Sequence, residues 1–241
     1  MAKKDLSYLS SALIAHRGLH KDKAPENSLA AFGAAVRAGY IIELDVHLLA
    51  DGSLAVFHDD NLERMCGVNI DIKDLTVRKM RKYRLAGTEE RIPLLKDVLA
   101  LIHGVVPIVI EVKYDAPIGE TVDAVADVLD GYTGDFALKS FHPIIVRKLK
   151  RKFRNNPVGQ LYGDVMFDDV SGAKEWAFRR IVNWSMRHSD FISVGKENLE
   201  DSNVELLRKF NKPILCWTIC SNKERSEASK LADNCICEKI L

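Results

Sequence analysis

The sequence of 241 residues lacks any long hydrophobic run. A membrane-spanning helix needs roughly 18 or more consecutive apolar residues, and no segment approaches that length. The charged residues at the start of the chain are not followed by a sustained apolar segment, so we do not expect a cleaved signal peptide. The pattern predicts no transmembrane segment, and the cytoplasm is the expected location.

The sequence also lacks an excess of charge of either sign, with 35 Lys and Arg residues against 34 Asp and Glu residues. This balance excludes a global electrostatic field that would attract nucleic acid or an anionic membrane. A local exception is the segment 147–154, which places six basic residues in eight positions of a predicted helix. Such a run is usually a solvated helix face, with weak attraction to phospholipid or to an acidic partner as the alternative.

Cysteine is scarce, and its five positions form neither an even framework nor the paired CxxC units of a zinc site. The sequence therefore does not indicate a complete disulfide scaffold. Free cysteines are among the most buried residues, so we expect reduced thiols in an intracellular enzyme, most of them buried in strands. The positions are Cys66, Cys216, Cys220, Cys235 and Cys237.

Linkers rich in proline, glycine or serine are absent as well, which favours one domain over residues 1–241. Short apolar runs alternate with segments of helical periodicity, which is the pattern of βα repeats. An open doubly wound sheet would fit this alternation, but the length and the even spacing favour a (β/α)8 TIM barrel, whose catalytic residues gather at the carboxyl ends of the strands. The predicted strands are 12–15, 41–48, 54–57, 107–112, 136–141, 158–162, 191–194, 214–219 and 234–237, and the predicted helices are 28–38, 94–103, 121–129, 143–153, 172–184, 203–210 and 222–231.

One pair of predicted strands departs from the βα repeat. Strands 41–48 and 54–57 are separated by a few residues around Asp51 and Gly52, whereas a parallel crossover needs about a dozen. We therefore predict a β-hairpin that places Asp45 roughly opposite His58. The polar segment from about 59 to 91 then interrupts the alternation, and we interpret it as a small insertion after the His58 strand, near the mouth of the active site.

Three acids in apolar strands suggest a metal site. Glu43 and Asp45 are two residues apart in a strand, so their side chains share one face. Burying both is costly unless a cation compensates, and Glu111 from another strand would supply a third carboxylate. Oxygen ligands of this kind suit Mg2+ or Ca2+, with Mn2+ as a further candidate. The alternative is a buried ion network with Arg17 or Lys113.

Two histidines at predicted strand ends, His16 and His58, suit general acid–base chemistry. In the cleavage of a phosphodiester, one group takes a proton from the attacking hydroxyl and another protonates the leaving alkoxide. Arg17 offers planar donors to phosphate oxygens, and Lys113 follows Glu111 by two residues and shares its face. Both could neutralise charge that develops in the transition state.

Three further residues have weaker signals. His47 follows Asp45 by two residues, so it could face the same cavity or support the site from behind. Phe141 and Trp217 lie at the ends of predicted strands and could form a wall of the substrate pocket. An aromatic residue in such a strand is more often part of the core, which is the alternative interpretation for both.

Several short motifs occur in a fixed order over roughly residues 12–113. They include His16-Arg17-Gly18, Pro25-Glu26-Asn27-Ser28, Glu43-Leu44-Asp45-Val46, Asp51-Gly52, Val56-Phe57-His58-Asp59, Asp74-Leu75-Thr76, Ile92-Pro93-Leu94 and Glu111-Val112-Lys113. No single motif is decisive, but the ordered set is highly specific. In this set the chain resembles the glycerophosphodiester phosphodiesterase family.

The resemblance implies a TIM-barrel hydrolase of the phospholipase-C-like type, active in lipid and glycerol metabolism. It implies one divalent cation held by Glu43, Asp45 and Glu111, with His16 and His58 as the acid–base pair. Arg17, Lys113, Phe141 and Trp217 would contact a small-molecule glycerophosphodiester, which is cleaved to glycerol 3-phosphate and an alcohol. Lysophospholipase D activity on a lipid, or a non-catalytic phosphate-binding barrel, are the alternatives, and no nucleic-acid partner is expected.

Overall fold

The structure, a computed structural model, describes residues 4–21, 23–114, 116–167, 171–209 and 211–239. Strands and helices alternate along these residues, as the sequence predicts. None of the described helices has the length and apolar character needed to cross a membrane. The strands are β1 (Ile14–Ala15), β2 (Ile41–Leu48), β3 (Leu54–Val56), β4 (Ile108–Val112), β5 (Phe136–Ser140), β6 (Val158–Tyr162), β7 (Phe191–Gly195), β8 (Ile214–Ile219) and β9 (Asn234–Cys237). The helices are α1 (Leu29–Ala38), α2 (Glu63–Cys66), α3 (Val77–Met80), α4 (Leu95–Ile102), α5 (Ile118–Leu129), α6 (Pro143–Lys152), α7 (Gly172–His188), α8 (Ser202–Arg208) and α9 (Asn222–Ala228).

The chain divides into two compact units. The first unit is Ala15–Phe136 and contains β2 to β4 with α1 to α5. The second unit is Ala137–Leu241 together with the N-terminal residues up to Ile14, and it contains β6 to β9 with α6 to α9.

The predicted hairpin in the first unit is confirmed. Strand β2 pairs in parallel with β4 and antiparallel with β3, and every residue of β2 is buried. The hairpin register pairs Val46 with Val56, and the backbone N–H of Phe57 donates to the carbonyl of Asp45 at 3.1 Å. Phe57 rather than His58 therefore lies opposite Asp45, because the pairing is symmetric about Asp51 instead of about the Asp51–Gly52 bond.

Helix α1 holds the segment that follows β1. Its first turn is capped by Ser28, whose hydroxyl accepts a hydrogen bond from the N–H of Ala31 at 3.1 Å. Gly18 has a φ of +83°, and a Cβ at this position would lie 3.0 Å from Ala31 and from the ring of Phe32. Only glycine satisfies both the left-handed backbone and the close approach to α1. The sequence thus keeps the residues just after β1 tightly against this helix.

The predicted insertion, residues 59–91, forms a packed element of short pieces. It contains α2, α3, a 3₁₀ turn at Ile72–Asp74 and two isolated β-bridges. Leu62, Ile72, Met80 and Leu85 are almost fully buried, and they pack in one cluster with Phe57 at the end of the hairpin. This shared core fixes the insertion relative to the residues that follow β3.

The second unit is a parallel sheet covered by helices. Strands β5, β6, β7, β8 and β9 pair in that order, and the four pairings between them are parallel. A Cβ on Gly159 would lie 2.4 Å from the ring of Phe191, so glycine is required where β6 meets β7. Helix α7 continues to His188, four residues beyond the predicted end at Trp184. Helix α8 ends at Arg208, and the predicted last residue, Phe210, lies outside the described residues.

Candidate active site

Three buried carboxylates converge in the first unit. Glu43 and Asp45 come from β2 and Glu111 from β4, and the parallel register pairs Asp45 directly with Glu111. One oxygen from each carboxylate lies within 4.8 Å of the others. Glu43 and Asp45 are 1% exposed and Glu111 is 5% exposed. We refer to these three residues as the acidic cluster.

Two basic side chains partly neutralise the acidic cluster. The ammonium of Lys113 lies 3.0 Å from Asp45 Oδ1 and 2.7 Å from Glu111 Oε1. The Nε atom of Arg17 lies 3.5 Å from Asp45 Oδ2, and the backbone N–H of Arg17 donates to Glu43 at 3.1 Å. The ion network considered as the alternative is therefore present, but three carboxylates face two cations.

The pKa directions follow this arrangement. Burial opposes the ionisation of Asp45, yet Lys113, His58 and Arg17 hold the pKa of its carboxyl well below the usual range. Burial likewise disfavours the charged ammonium of Lys113, but Asp45 and Glu111 raise its pKa above the usual value. Asp45 and Lys113 are thus both charged at neutral pH, and the acidic cluster has three carboxylates beside two basic side chains.

The donor set of the acidic cluster fits a hard divalent cation. Carboxylate and amide oxygens are the ligands that Mg2+ and Ca2+ prefer. Asn27, which is 1% exposed, donates from Nδ2 to Asp45 Oδ2 at 3.0 Å, while its buried Oδ1 has no hydrogen-bond partner. An unsatisfied buried oxygen beside surplus carboxylates is expected where a cation binds. The sequence indicated Asn27 only as part of the Pro25-Glu26-Asn27-Ser28 motif. Asparagine tolerates the φ of +55° that this residue adopts.

His58 is held in place by a chain of charged side chains. Its Nδ1 lies 2.6 Å from Asp59 Oδ1, and Arg64 donates to the other oxygen of Asp59 at 2.6 Å. Arg64 also donates to Glu26 at 2.7 Å, and Glu26 accepts from Arg17 at 2.8 Å. Burial disfavours the charged form of Asp59, but His58 and Arg64 hold its pKa well below the usual range. This series of contacts links His58 to the guanidinium of Arg17. The linking residues, Asp59, Arg64 and Glu26, were not predicted as site residues from the sequence.

The other histidines take different positions. His16 is half-buried and directly follows β1. His47 is fully buried, and its Nε2 lies 3.1 Å from the carbonyl oxygen of His58. This contact places the ring of His47 behind the backbone of His58, so of the two interpretations for His47 the geometry favours the supporting one.

Phe141 and Trp217 contact each other in the second unit, whereas the acids, the histidines and the basic residues above belong to the first. Their rings meet edge to face with 5.7 Å between centroids. Both residues are half-buried, and the indole N–H of Trp217 is buried without a hydrogen-bond partner. A buried indole N–H usually has an acceptor, so this side chain has an unused donor.

Comparison with known proteins agrees with this chemistry. The model of the glycerophosphoryl diester phosphodiesterase family matches residues 16–237. A putative glycerophosphodiester phosphodiesterase of Bacillus subtilis, YhdW, is 27% identical over 225 residues, which cover 88% of this chain and 87% of that protein. Human lysophospholipase D GDPD1 is 37% identical over 113 residues, but the match covers 42% of this chain and only 35% of the human protein.

Solved structures show the same fold. The glycerophosphodiester phosphodiesterase of Thermotoga maritima has a TM-score of 0.71 at 27% identity and covers 94% of both chains. An Oleispira antarctica phosphodiesterase, solved in complex with the product sn-glycerol-3-phosphate, has a TM-score of 0.78 at 20% identity and covers 94% of this chain and 92% of its own. The predicted fold class, a (β/α)8 TIM barrel, and the predicted enzyme class, a glycerophosphodiester phosphodiesterase, are confirmed. With the family model matching most of its length, the chain belongs to the glycerophosphoryl diester phosphodiesterase family.

Proposed function

We propose that the protein hydrolyses glycerophosphodiesters to glycerol 3-phosphate and an alcohol with the help of one divalent cation. The observation that carries this proposal is the acidic cluster, in which three buried carboxylates converge and which has an unpartnered amide oxygen beside it. The Oleispira relative, solved with sn-glycerol-3-phosphate, supports the choice of product. The family match over residues 16–237 also supports the prediction that the whole chain acts as one family domain.

Glu43, Asp45 and Glu111 would hold the cation, with Mg2+ or Ca2+ as the first candidates and Mn2+ as a further one. When bound, the ion would polarise phosphoryl oxygens and neutralise charge that develops on them. Lys113 already contacts two of these carboxylates, so it would keep Asp45 and Glu111 in place. The cluster therefore remains a preformed set of anionic ligands.

His16 and His58 would transfer the protons of the reaction. Asp59 accepts a hydrogen bond from Nδ1 of His58, which leaves Nε2 of the neutral ring as the atom that takes up or releases a proton. The second proton transfer would fall to His16, which follows β1. One of the two removes a proton from the attacking hydroxyl, and the other protonates the leaving alkoxide.

Arg17 and Lys113 would bind the phosphate. The guanidinium of Arg17 donates to Glu26 and lies 3.5 Å from Asp45, so it is preorganised. We also propose Phe141 and Trp217 as residues that contact the substrate. Their support is the free donor of the Trp217 indole and the half-buried position of both rings.

A second candidate activity is lysophospholipase D-type cleavage of a lipid substrate. It is favoured by the match to human lysophospholipase D GDPD1, which extends over 113 residues, or 42% of this chain. Turnover of lysophospholipid vesicles above that of soluble glycerophosphodiesters would favour this activity, and the reverse order would exclude it as the main one. A non-catalytic barrel is disfavoured because no proposed catalytic residue is missing.

The experiment that tests the proposal is the release of glycerol 3-phosphate from glycerophosphocholine and glycerophosphoethanolamine. We expect turnover that EDTA abolishes and that added Mg2+, Ca2+ or Mn2+ restores. Absence of turnover of every phosphodiester by folded, metal-loaded protein would contradict the proposal. Turnover that is insensitive to EDTA would contradict the part of the proposal that assigns a divalent cation to the reaction.

We further propose a cytoplasmic location. All five cysteines are free, which fits a reducing compartment. Burial raises the pKa of the Cys216 and Cys237 thiols to about 12, so these two stay protonated and unreactive. Cys220 is exposed and shows that the expectation of burial in strands holds for most, not all, of the thiols.

A further inference from the structure

Exposed apolar side chains concentrate on two neighbouring helices of the second unit. Among the described residues, half of the large hydrophobic side chains that are exposed lie on α6 and α7. They are Ile144 on α6 and Trp176, Ile181 and Trp184 on α7, with exposures between 48% and 63%. Soluble surfaces carry scattered apolar residues, but two tryptophans and two isoleucines on adjoining helices form a patch that needs an explanation.

The helical period turns these side chains outward. Helix α6 buries Ile145, Val146 and Leu149, so Ile144 and Arg147 lie on its opposite side. Over its 17 residues α7 buries only Val182, Ser185 and Met186. The two helices together line an open cavity of about 630 Å³ with Ile144, Arg147, Ile181, Trp184 and Arg187 among its walls. We call the surface formed by Ile144, Arg147, Trp176, Arg180, Ile181, Trp184 and Arg187 the α6–α7 face.

The α6–α7 face belongs to the most basic part of a chain that is close to neutral overall. Helix α6 has five Lys or Arg residues and no acid, and α7 has four with Glu175 as the single acid. Glu175 accepts a hydrogen bond from Arg179 at 2.8 Å, which leaves Arg180 and Arg187 without a helical acid beside them. The guanidinium of Arg180 lies 4.9 Å from the ring centre of Trp176, so cation and aromatic surface are presented together.

We propose that the α6–α7 face binds the surface of an anionic phospholipid bilayer. Tryptophan favours the headgroup region of a membrane, where its ring is in an apolar layer and its N–H meets polar groups. Isoleucine side chains would enter the upper acyl region, while arginines bind lipid phosphates. The α6–α7 face therefore has apolar groups for the acyl region, tryptophans for the headgroup region and arginines for the lipid phosphates.

Other occupants fit the α6–α7 face less well. Nucleic acid and acidic peptides would match the arginines but would leave Ile144 and Ile181 without apolar partners. A second copy of this chain packed symmetrically on the face would bring the arginines of one copy close to those of the other, because the same patch is used on both. The bilayer surface is the occupant that uses both the charge and the apolar groups.

The binding would be peripheral and separate from catalysis. Every residue of the α6–α7 face lies in the second unit, and none belongs to the proposed catalytic or substrate-binding set. Soluble glycerophosphodiesters should therefore be turned over equally by variants of this face and by the wild type. Failure of the proposed enzymatic function would leave this binding proposal intact, and the reverse also holds.

Flotation with vesicles tests the proposal. The full chain should float with vesicles of equimolar phosphatidylglycerol and phosphatidylcholine. With vesicles of phosphatidylcholine alone it should remain in the bottom fraction. Arg180→Gln with Arg187→Gln should weaken partitioning about fivefold for each charge removed, roughly 25-fold in total. A matched control, Arg78→Gln with Lys79→Gln at two exposed positions of α3, removes the same charge elsewhere and should bind like the wild type.

The apolar contribution is tested by Trp176→Ser with Trp184→Ser, or by Trp176→Ser alone if the double variant does not fold. Brominated lipid should quench wild-type tryptophan emission and should barely quench the double variant, which retains only Trp217. The proposal is overturned by equal binding to both vesicle types, by no binding, or by a charge control that loses as much binding as the α6–α7 variant. Binding of a DNA duplex without any vesicle binding would also overturn it.

Discussion

Two groups of carboxylates and lysines, one in each unit, have opposite charge balance. In the second unit, Asp190 is surrounded by Lys150 at 2.7 Å, Lys4 at 2.9 Å and the backbone N–H of Val158 at 2.9 Å. We call this group the Asp190 cluster. In the acidic cluster of the first unit, three carboxylates share Lys113 and Arg17. In the second unit two lysines surround one acid, whereas in the first unit three acids lie beside one lysine and one arginine.

This difference separates a structural ion pair from a binding site. Both oxygens of Asp190 accept hydrogen bonds, so the cluster is complete within the protein. The acidic cluster is more deeply buried, and the oxygen of Asn27 beside it has no partner. Burying surplus charge costs stability, and a protein retains it where a ligand supplies the missing charge. Salt bridges occur in both clusters, so it is the ratio of acids to basic groups, the burial and the unpartnered oxygen of Asn27 that distinguish the site.

The largest expected effect is on catalysis. His58→Ala should lower kcat by about a hundredfold to ten-thousandfold, because the ring transfers a proton in the transition state. His16→Ala should have a loss of similar size. Release of glycerol 3-phosphate measures the rate, and circular dichroism checks that the fold is retained. A fully active single variant would contradict the assigned pair.

Changing one acid of the acidic cluster should affect cation binding before it affects the fold. Glu111→Gln removes a charged oxygen ligand, and we expect the cation concentration for half-maximal activity to rise at least roughly tenfold, the smallest loss typical of residues that only support a ligand. Titration of activity with Mg2+ and with Ca2+ measures the change. An unchanged requirement would exclude Glu111 from the cation site.

Changing the acid of the Asp190 cluster should affect the fold and leave cation binding alone. Asp190→Asn should lower the free energy of unfolding by about 1–2 kcal/mol at neutral pH, because two charge-assisted hydrogen bonds are weakened. Burial opposes ionisation, but Lys150, Lys4 and the N–H of Val158 hold the pKa of Asp190 below its usual value.

The pH dependence of this effect has a definite sign. A depressed folded-state pKa contributes stability that is fully present above the ordinary value near ~3.9 and is lost as the pH falls through the folded-state pKa. The difference between wild type and Asp190→Asn should therefore be constant near neutrality and shrink in acid. Urea unfolding at several pH values measures it, and a difference that grew as the pH fell would contradict the ion pair.

The smallest expected effect is a loss of unfolding free energy when Lys150 of the Asp190 cluster is changed. Lys150→Gln leaves Lys4 and the N–H of Val158 on Asp190, so the loss should be about 0.5 kcal/mol. Lys113→Gln is the matched change in the acidic cluster, and it should cost more because it leaves Asp45 and Glu111 with one cation fewer. Unfolding in urea compares the two variants, and equal losses would remove the distinction between the clusters.

The sequence predicts the acidic cluster well because its geometry is local to strands. Alternation places Glu43 and Asp45 on one face, and the parallel neighbour β4 brings Glu111 beside them. The hairpin was predicted from its short turn, but its register was wrong by one residue because turn length does not fix the centre of pairing. The continuation of α7 past Trp184 was missed because no glycine or proline marks the end of the helix.

Contacts between distant segments were beyond sequence reasoning. Arg64 and Glu26 are 38 residues apart, and their contact depends on how the insertion packs against the end of the hairpin. The role of Asn27 likewise depends on a left-handed backbone that places its amide beside Asp45. Tertiary packing sets these positions, and local periodicity in the sequence does not predict contacts between distant segments.

The central claim is that the acidic cluster binds a divalent cation while the Asp190 cluster does not need one. The most direct test is thermal unfolding of EDTA-treated wild type, Asp45→Asn and Asp190→Asn, titrated with Mg2+, Ca2+ and Mn2+. Stabilisation should approach about 2.7 kcal/mol at a hundredfold excess over Kd. The claim predicts that a cation raises Tm for wild type and for Asp190→Asn but not for Asp45→Asn. A wild-type Tm that none of the three cations changes, or an equal rise in Asp45→Asn, would contradict it.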